Sequence, residues 1–469
     1  MNGGSPSPPA LDVFRRWRGR STVAESRFCL SLRVALIIWL IVAMAVSIRT
    51  LVRPRSHTVF PIFAASAEHW WGNCSLYETY PGLDRFRYPP VFALFVTPFS
   101  SLGLLTGGIL WSWVSIAVLV AGLWQYVRDV IPSVWTRQRT ALFLILGALG
   151  ALRGLWNAQS NALIVGFLLL GTAALARVLS PGSQNSGLRT QNLGWWLAAL
   201  LLAVPICLKL TPLAPVLLLV VLWPRRLAWR LLVVVAGLSL LPFLTRSPDL
   251  VWDHYGAWIN HLLDSGNTRW IGFRDGWTIW VVLRHLLGAE AGDVSLGEPM
   301  NSRWYRLVQL TTAAGVLVWC LWLSQRSQRL GLGARWLLHA TLSMGLGWLM
   351  LFGPAVEHST YVFLAPPLLW ALLERRTWPL GQGLILGSFT LIMILGWGAV
   401  TRLFSPSWPI LLTALPAGTA LFILWLLGYA HNCGTGFEGA PTSSGDPPFT
   451  LGEHLTPCTE RRDEDRMAA

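Results

Sequence analysis

From Val34 to Ile48 the chain carries no charged side chain, and such apolar runs recur along most of its length. They fall at 90–105, 107–127, 140–152, 156–177, 193–208, 211–223, 228–245, 304–324, 336–353, 359–373, 380–400 and 408–429. The hydrocarbon core of a bilayer is about 30 Å thick and takes about 20 apolar residues of helix to cross. Several of these runs are short for that, and read as tilted, paired or re-entrant segments. In lipid every backbone polar group must be satisfied within its own segment or a closed barrel. Because the runs are continuous and do not alternate with polar residues, they predict helices. The expectation is an all-α, polytopic integral membrane protein with about 10–13 transmembrane helices and two larger extracytoplasmic loops.

Composition agrees. Only 12% of the residues are charged, about half the share of an ordinary soluble domain, which excludes a soluble enzyme. The net charge of +14 would raise nucleic acid as a partner, but the arginines punctuate apolar runs and form no basic domain. They read as membrane-surface charges, so the expected environment is the lipid bilayer and no nucleic acid is implied.

Before the first run stand Arg15, Arg16, Arg18, Arg20, Arg27 and Arg33 against only Asp12 and Glu25. Positive residues beside a first span stay in the cytoplasm, so the N-terminus is placed there, in a multi-pass protein of the cell (inner, cytoplasmic) membrane. Ala43-Met44-Ala45 mimics a signal-peptide cleavage site, but the long leader and the spans that follow favour a retained helix. The chain divides into a basic, disordered cytoplasmic leader (1–33), a polytopic domain (34–430) and a polar, disordered tail (431–469) rich in Gly, Pro, Ser and acidic residues. One conflict is left open: strict alternation would put Arg128, Arg137 and Arg139 outside, so either one of the preceding short runs does not cross or these arginines bind something at the outer face.

Two polar interruptions are long enough to hold chemistry, Arg53 to Tyr88 and Arg246 to Arg303. Both are dense in tryptophan, which favours the membrane interface and also stacks on sugar faces. The six cysteines show no metal-ligand spacing and support neither a disulfide scaffold nor a zinc site. No cofactor is implied, and a metal is neither required nor excluded.

Four short motifs carry the chemistry. Arg85-Phe86-Arg87-Tyr88-Pro89-Pro90 closes the first loop, with prolines suited to a helix start and two arginines at the depth where a lipid phosphate sits. Asn157-Ala158-Gln159-Ser160-Asn161 clusters amides and a hydroxyl ahead of an apolar run, either as caps and interhelical hydrogen bonds or as the lining of a substrate path. Lys209, the single lysine of the chain, lies in Pro205-Ile206-Cys207-Leu208-Lys209-Leu210-Thr211-Pro212. At a helix centre in the bilayer a charge costs about 3 kcal/mol, so Lys209 either snorkels or meets an anion such as a lipid phosphate. Glu357, His358 and Tyr361 interrupt two late apolar runs, as a plain loop or as part of the same cavity.

In this order and spacing, Tyr88-Pro89-Pro90, Gln159-Ser160-Asn161, Lys209-Leu210-Thr211-Pro212 and the break from Pro354 to Tyr361 resemble glycosyltransferase family 87, the polyprenyl-phosphate-mannose-dependent mannosyltransferases of the C-type membrane superfamily. The resemblance spans roughly residues 34 to 430. It implies a membrane-embedded hexosyltransferase that moves mannose from a polyprenyl-phosphate sugar to an extracytoplasmic glycan or glycolipid acceptor, with inversion. The chain departs from the pattern at Ser56-His57-Thr58-Val59, where such proteins carry an Asp and this one has no acid. It departs again at Phe273-Arg274-Asp275-Gly276-Trp277, where an Asn-x-Ser-like helix start is usual.

Such a transfer needs a carboxylate to take the acceptor proton and cations to stabilise the departing phosphate. Lys209, Arg85 and Arg87 are the candidate phosphate partners. The base lies among Glu68, Asp84, Asp275 and Glu357, with Asp84 or Glu68 favoured by their place in the first loop. Tyr88, Asn157, Gln159, Asn161, Asp275, Glu357, His358 and Tyr361 are the expected cavity lining. The missing acid leaves a second expectation standing, a non-catalytic protein that binds or moves a lipid-linked glycan.

Overall fold

A computed structural model describes residues 31–55, 58–180, 188–265, 278–286, 303–353, 356–374, 378–396 and 413–433. Asp275, nearly all of the leader and most of the tail lie outside these residues. Contacts divide the chain into two units, Met1–Ala430 and His431–Ala469, and the helical bundle described below belongs to the first.

Among the described residues all regular structure is helical. In order these are α1 (Leu32–Val52), α2 (Phe60–Trp71), α3 (Pro90–Ser100), α4 (Gly103–Asp129), α5 (Arg137–Trp156), α6 (Asn161–Leu179), α7 (Leu188–Leu208), α8 (Leu213–Leu222), α9 (Trp229–Leu240), α10 (Pro248–Ser265), α11 (Ile279–Leu286), α12 (Arg303–Arg329), α13 (Ala334–Phe352), α14 (Ala365–Leu373), α15 (Pro379–Phe389) and α16 (Ala414–Asn432). Short 3₁₀ turns, Leu241–Leu244 and His358–Phe363, extend α9 and precede α14, and π-helical turns precede α9 and continue α15. Among the described residues eight helical segments are long and apolar enough to cross a membrane.

Side-chain contacts orient the helices between two ends, here called the leader end, where α1 begins, and the loop end, where it finishes. Thr50, at the finish of α1, and Phe60, at the start of α2, both lie against Gly108 near the start of α4. Helix α4 therefore begins at the loop end, and α3, only 11 residues long and just before it, does not cross. This resolves the conflict over Arg128, Arg137 and Arg139, which stand at the leader end with the start of α1. There Arg177 of α6 donates to Asp129 Oδ2 at 2.7 Å, and Arg128 donates to Asp129 Oδ1 at 3.1 Å. The same tracing runs α5 back to the loop end, α6 away from it and α7 toward it. Twelve segments pass between the ends among the described residues, the pair His358–Phe363 and α14 counting as one.

The interior is organised around α6, most of whose 19 residues are buried. It packs on α4 through small residues: a Cβ on Gly122 would stand 2.6 Å from the Gly166 carbonyl oxygen, and one on Gly166 would stand 2.6 Å from the backbone of Val118. Without a hydrophobic drive between helices in lipid, such close backbone approach supplies much of the packing energy. Replacing Gly166 with Ala should therefore destabilise the bundle by about 1–3 kcal/mol, read as a lower melting temperature of the detergent-solubilised protein. An unchanged melting temperature would show that α4 and α6 can separate without loss.

Candidate functional site

At the loop end α5 stops at Trp156, and the four residues before α6 form a turn. Ala158 takes a positive φ of 51°, a conformation that costs a non-glycine residue about 1–3 kcal/mol unless its surroundings hold it. Here the indole of Trp111 donates to the Ala158 carbonyl at 3.0 Å, and Gln159 N reaches back to Gly154 O at 2.9 Å. The Asn157 carbonyl accepts from Val59 N at 3.0 Å and from the Thr58 hydroxyl at 3.4 Å, tying the turn to the start of α2. The strained turn aims Gln159 and Asn161 at the junctions α7–α8 and α13–α14, and Ser160 at Tyr88 before α3.

These side chains form one connected network. Lys209 Nζ donates to Asn161 Oδ1 at 3.0 Å. Asn161 Nδ2 donates to Gln159 Oε1 at 2.8 Å and to Ser359 Oγ at 3.3 Å. Gln159 Nε2 and the Ser359 hydroxyl both donate to Glu357 Oε2, at 3.0 and 3.3 Å. Ser160 donates to the Tyr88 hydroxyl at 3.3 Å, and the Tyr88 ring stacks on Phe92 with centroids 4.3 Å apart. An ammonium and a carboxylate are thus joined through two amides, with no direct ion pair between them.

The unused valences matter more than the used ones. Lys209 has three N–H donors and meets one acceptor among the described residues. Among the described residues Glu357 accepts two hydrogen bonds, both on Oε2, and none on Oε1 of its partly exposed side chain. Burial lowers the pKa of Lys209, the Glu357 carboxylate opposes that shift, and Arg87 adds to it. Burial likewise raises the pKa of Tyr88, which stays a neutral phenol. The cluster offers an open cation and an open carboxylate oxygen in one place.

The other expected residues are distributed around it. Arg87 is near enough for its charge to act on Lys209 and Tyr88, and it also stands 3.7 Å from Asp84. Arg85 donates to Thr79 on the exposed loop at 2.9 Å, away from the network. Asp84 is exposed and accepts from the backbone of Arg85, and Glu68 is exposed on α2. Neither joins the network. Asn157 contributes its carbonyl to the turn. His358 Nδ1 lies 2.8 Å from Arg153 of α5; a guanidinium can only donate, so His358 accepts there as a neutral ring and locks the junction to α5. Tyr361 is buried, with its hydroxyl 3.5 Å from the Met350 carbonyl. Ser359, which sequence reasoning did not single out, bridges Asn161 and Glu357; its signal is a hydroxyl two residues after the carboxylate at a helix start.

Removing the Tyr88 hydroxyl, as in Tyr88→Phe, leaves the stack on Phe92 and strands only Ser160. A loss of about 1 kcal/mol in stability is expected with activity reduced no more than severalfold; a collapse of activity would place the phenol in the reaction itself.

The model of glycosyltransferase family 87 matches residues 86–354, more than half of the 469 residues. The match includes Tyr88, Gln159, Asn161 and Lys209, and ends just before Glu357. Among solved structures, ArnT from Cupriavidus metallidurans, bound to undecaprenyl phosphate or in the apo state, is similar at 15% identity with a TM-score of 0.43, over 84% of this chain and 76% of that chain. No curated protein matches the chain.

Proposed function

Because the chain belongs to glycosyltransferase family 87, we propose that it is a membrane-embedded hexosyltransferase, with mannose the expected sugar, drawing on a polyprenyl-phosphate donor. The observation that carries this reading is the Lys209–Asn161–Gln159–Glu357 network, which links an ammonium to a carboxylate through two amides at the loop end, one carboxylate oxygen accepting no hydrogen bond from the described residues. Lys209 binds the phosphate of the donor, with Arg87 adding to the field. Glu357 Oε1 takes the proton of the acceptor hydroxyl as that oxygen attacks the anomeric carbon. The bond from that carbon to the phosphate oxygen breaks, and the phosphate leaves with the electron pair, its charge held by Lys209. Asn161, Gln159 and Ser359 position the two charged groups.

This reading puts the base at Glu357, ahead of Asp84 and Glu68, because only Glu357 stands in the network with the lysine. The acceptor is a glycan or glycolipid on the extracytoplasmic side. Arginine-rich turns at the leader end, Arg137 with Arg139 and Arg225 with Arg226, support a cytoplasmic leader and an extracytoplasmic loop end.

Membranes containing the full chain, incubated with a labelled polyprenyl-phosphate hexose and candidate glycan or glycolipid acceptors, test the proposal. Transfer of label that depends on Lys209 is expected. Donor binding without transfer to any acceptor would favour the second reading, a binding or transport protein, for which the missing acid near Val59 is the specific support.

A further inference from the structure

A second cation at the loop end is arranged differently from Lys209. Arg246 follows the candidate span Pro224–Leu244 by two residues, and leads into α10. It donates through Nε to the Trp70 carbonyl at 3.0 Å and through a terminal nitrogen to the Trp71 carbonyl, and its guanidinium lies 5.0 Å from the centroid of the Trp71 ring. The Trp71 indole is itself fixed by donating to Thr97 at 3.0 Å, and that of Trp70 by donating to Thr245 at 3.3 Å. Arg246 is therefore held rigidly in place.

It is held at the wall of an open cavity of about 660 Å³ lined by Asn73, Leu244, Thr245, Arg246, Ser247 and Leu250. None of the ion pairs among the described residues reaches Arg246; Asp249 and Asp253, both exposed on α10, make none with it. A guanidinium has five N–H donors, and the two carbonyls accept from two of its nitrogens. Amide and hydroxyl groups of Asn73, Thr245 and Ser247 stand around it, whereas Leu244 is 82% exposed and Trp71 47% exposed beside it. The cavity thus joins a cation with no ion pair among the described residues, and small polar groups, to an apolar rim at the end of a span, which is headgroup depth.

We infer that this cavity binds the phosphate-bearing headgroup of a membrane lipid, at a site separate from Lys209. The phosphate sits on Arg246 with Asn73 and Ser247 as further hydrogen-bond partners, and the first part of an acyl chain lies along Leu244. Arginine suits a phosphate oxygen pair better than a point charge would. A lipid seated there would brace the end of α2 against the start of α10, tying the first polar interruption to the second.

The test uses the purified full-length protein in neutral detergent, titrated separately with short-chain phosphatidylglycerol, with the matching diacylglycerol and with inorganic phosphate. Binding is read by native mass spectrometry and by the shift in melting temperature. Saturable binding of phosphatidylglycerol is expected, with none of the diacylglycerol or of inorganic phosphate. Ser247→Asp, which puts a negative charge at the cavity without removing the Arg246 contacts, should weaken it by about tenfold, and Arg246→Met by at least as much. Lys209→Met, which disables the proposed donor site, should leave it unchanged, so the two readings fail separately. Unaltered phosphatidylglycerol affinity in Ser247→Asp and Arg246→Met, an equal response to diacylglycerol, or an equal response to inorganic phosphate would each overturn the inference.

Discussion

Glu357→Gln should lower the rate of sugar transfer by about 10²- to 10⁴-fold, the usual contribution of a positioned general base, while donor binding stays intact. The substitution conserves size, and the amide oxygen can still accept from Gln159 and Ser359. What disappears is the ability of the free oxygen to take a proton. Single-turnover transfer with saturating labelled donor separates this loss from any change in affinity. Full activity in Glu357→Gln, paired with loss in Asp84→Asn or Glu68→Gln, would move the base to the first loop.

Lys209→Met acts on the other end of the network and should show the opposite split. The donor phosphate loses a charge-assisted contact worth about 1.5–3 kcal/mol, so donor affinity falls by about 10- to 100-fold. Stability should fall by only about 1 kcal/mol, because the loss of the donor to buried Asn161 Oδ1 is partly offset by a thioether chain that fills the volume of the lysine stem and removes a charge that burial disfavours. Lys209→Arg is a useful control, since it keeps the charge but replaces the compact ammonium with a planar fork. Affinity equal to the unmodified protein in Lys209→Met would remove the residue from phosphate binding.

Much of this site was legible in the sequence because its residues break apolar runs. Lys209, Gln159, Asn161 and Glu357 are costly at membrane depth, and that cost makes them visible without any structure. Their pairing was not legible: Asn161 and Ser359 are 198 positions apart in the chain, and only the packing of α6 against the neighbouring junctions brings them together. Asp84 and Glu68 drew attention by lying in the first loop, yet position in a loop says nothing about which way a side chain is exposed. Hydropathy identified the residues of α3 as apolar but not as non-crossing, because that depends on where Gly108 meets Thr50 and Phe60. Gly122 and Gly166 were silent for the same reason, since a glycine's value in a helix is set by the backbone opposite it. Asp275 lies beyond the described residues and stays a sequence expectation.

The short stop made by α3 has a consequence for engineering and for descent alike. An apolar segment that enters and leaves by the same face adds no crossing, so deleting or lengthening it would not invert whatever follows. Leu32 and Ala430 accordingly belong to the same end of the bundle, and reporters fused ahead of α1 and directly after Ala430 should light up in one compartment. Loss of a long span such as Pro224–Leu244 would instead turn every later loop inside out and carry Glu357 to the face opposite Tyr88.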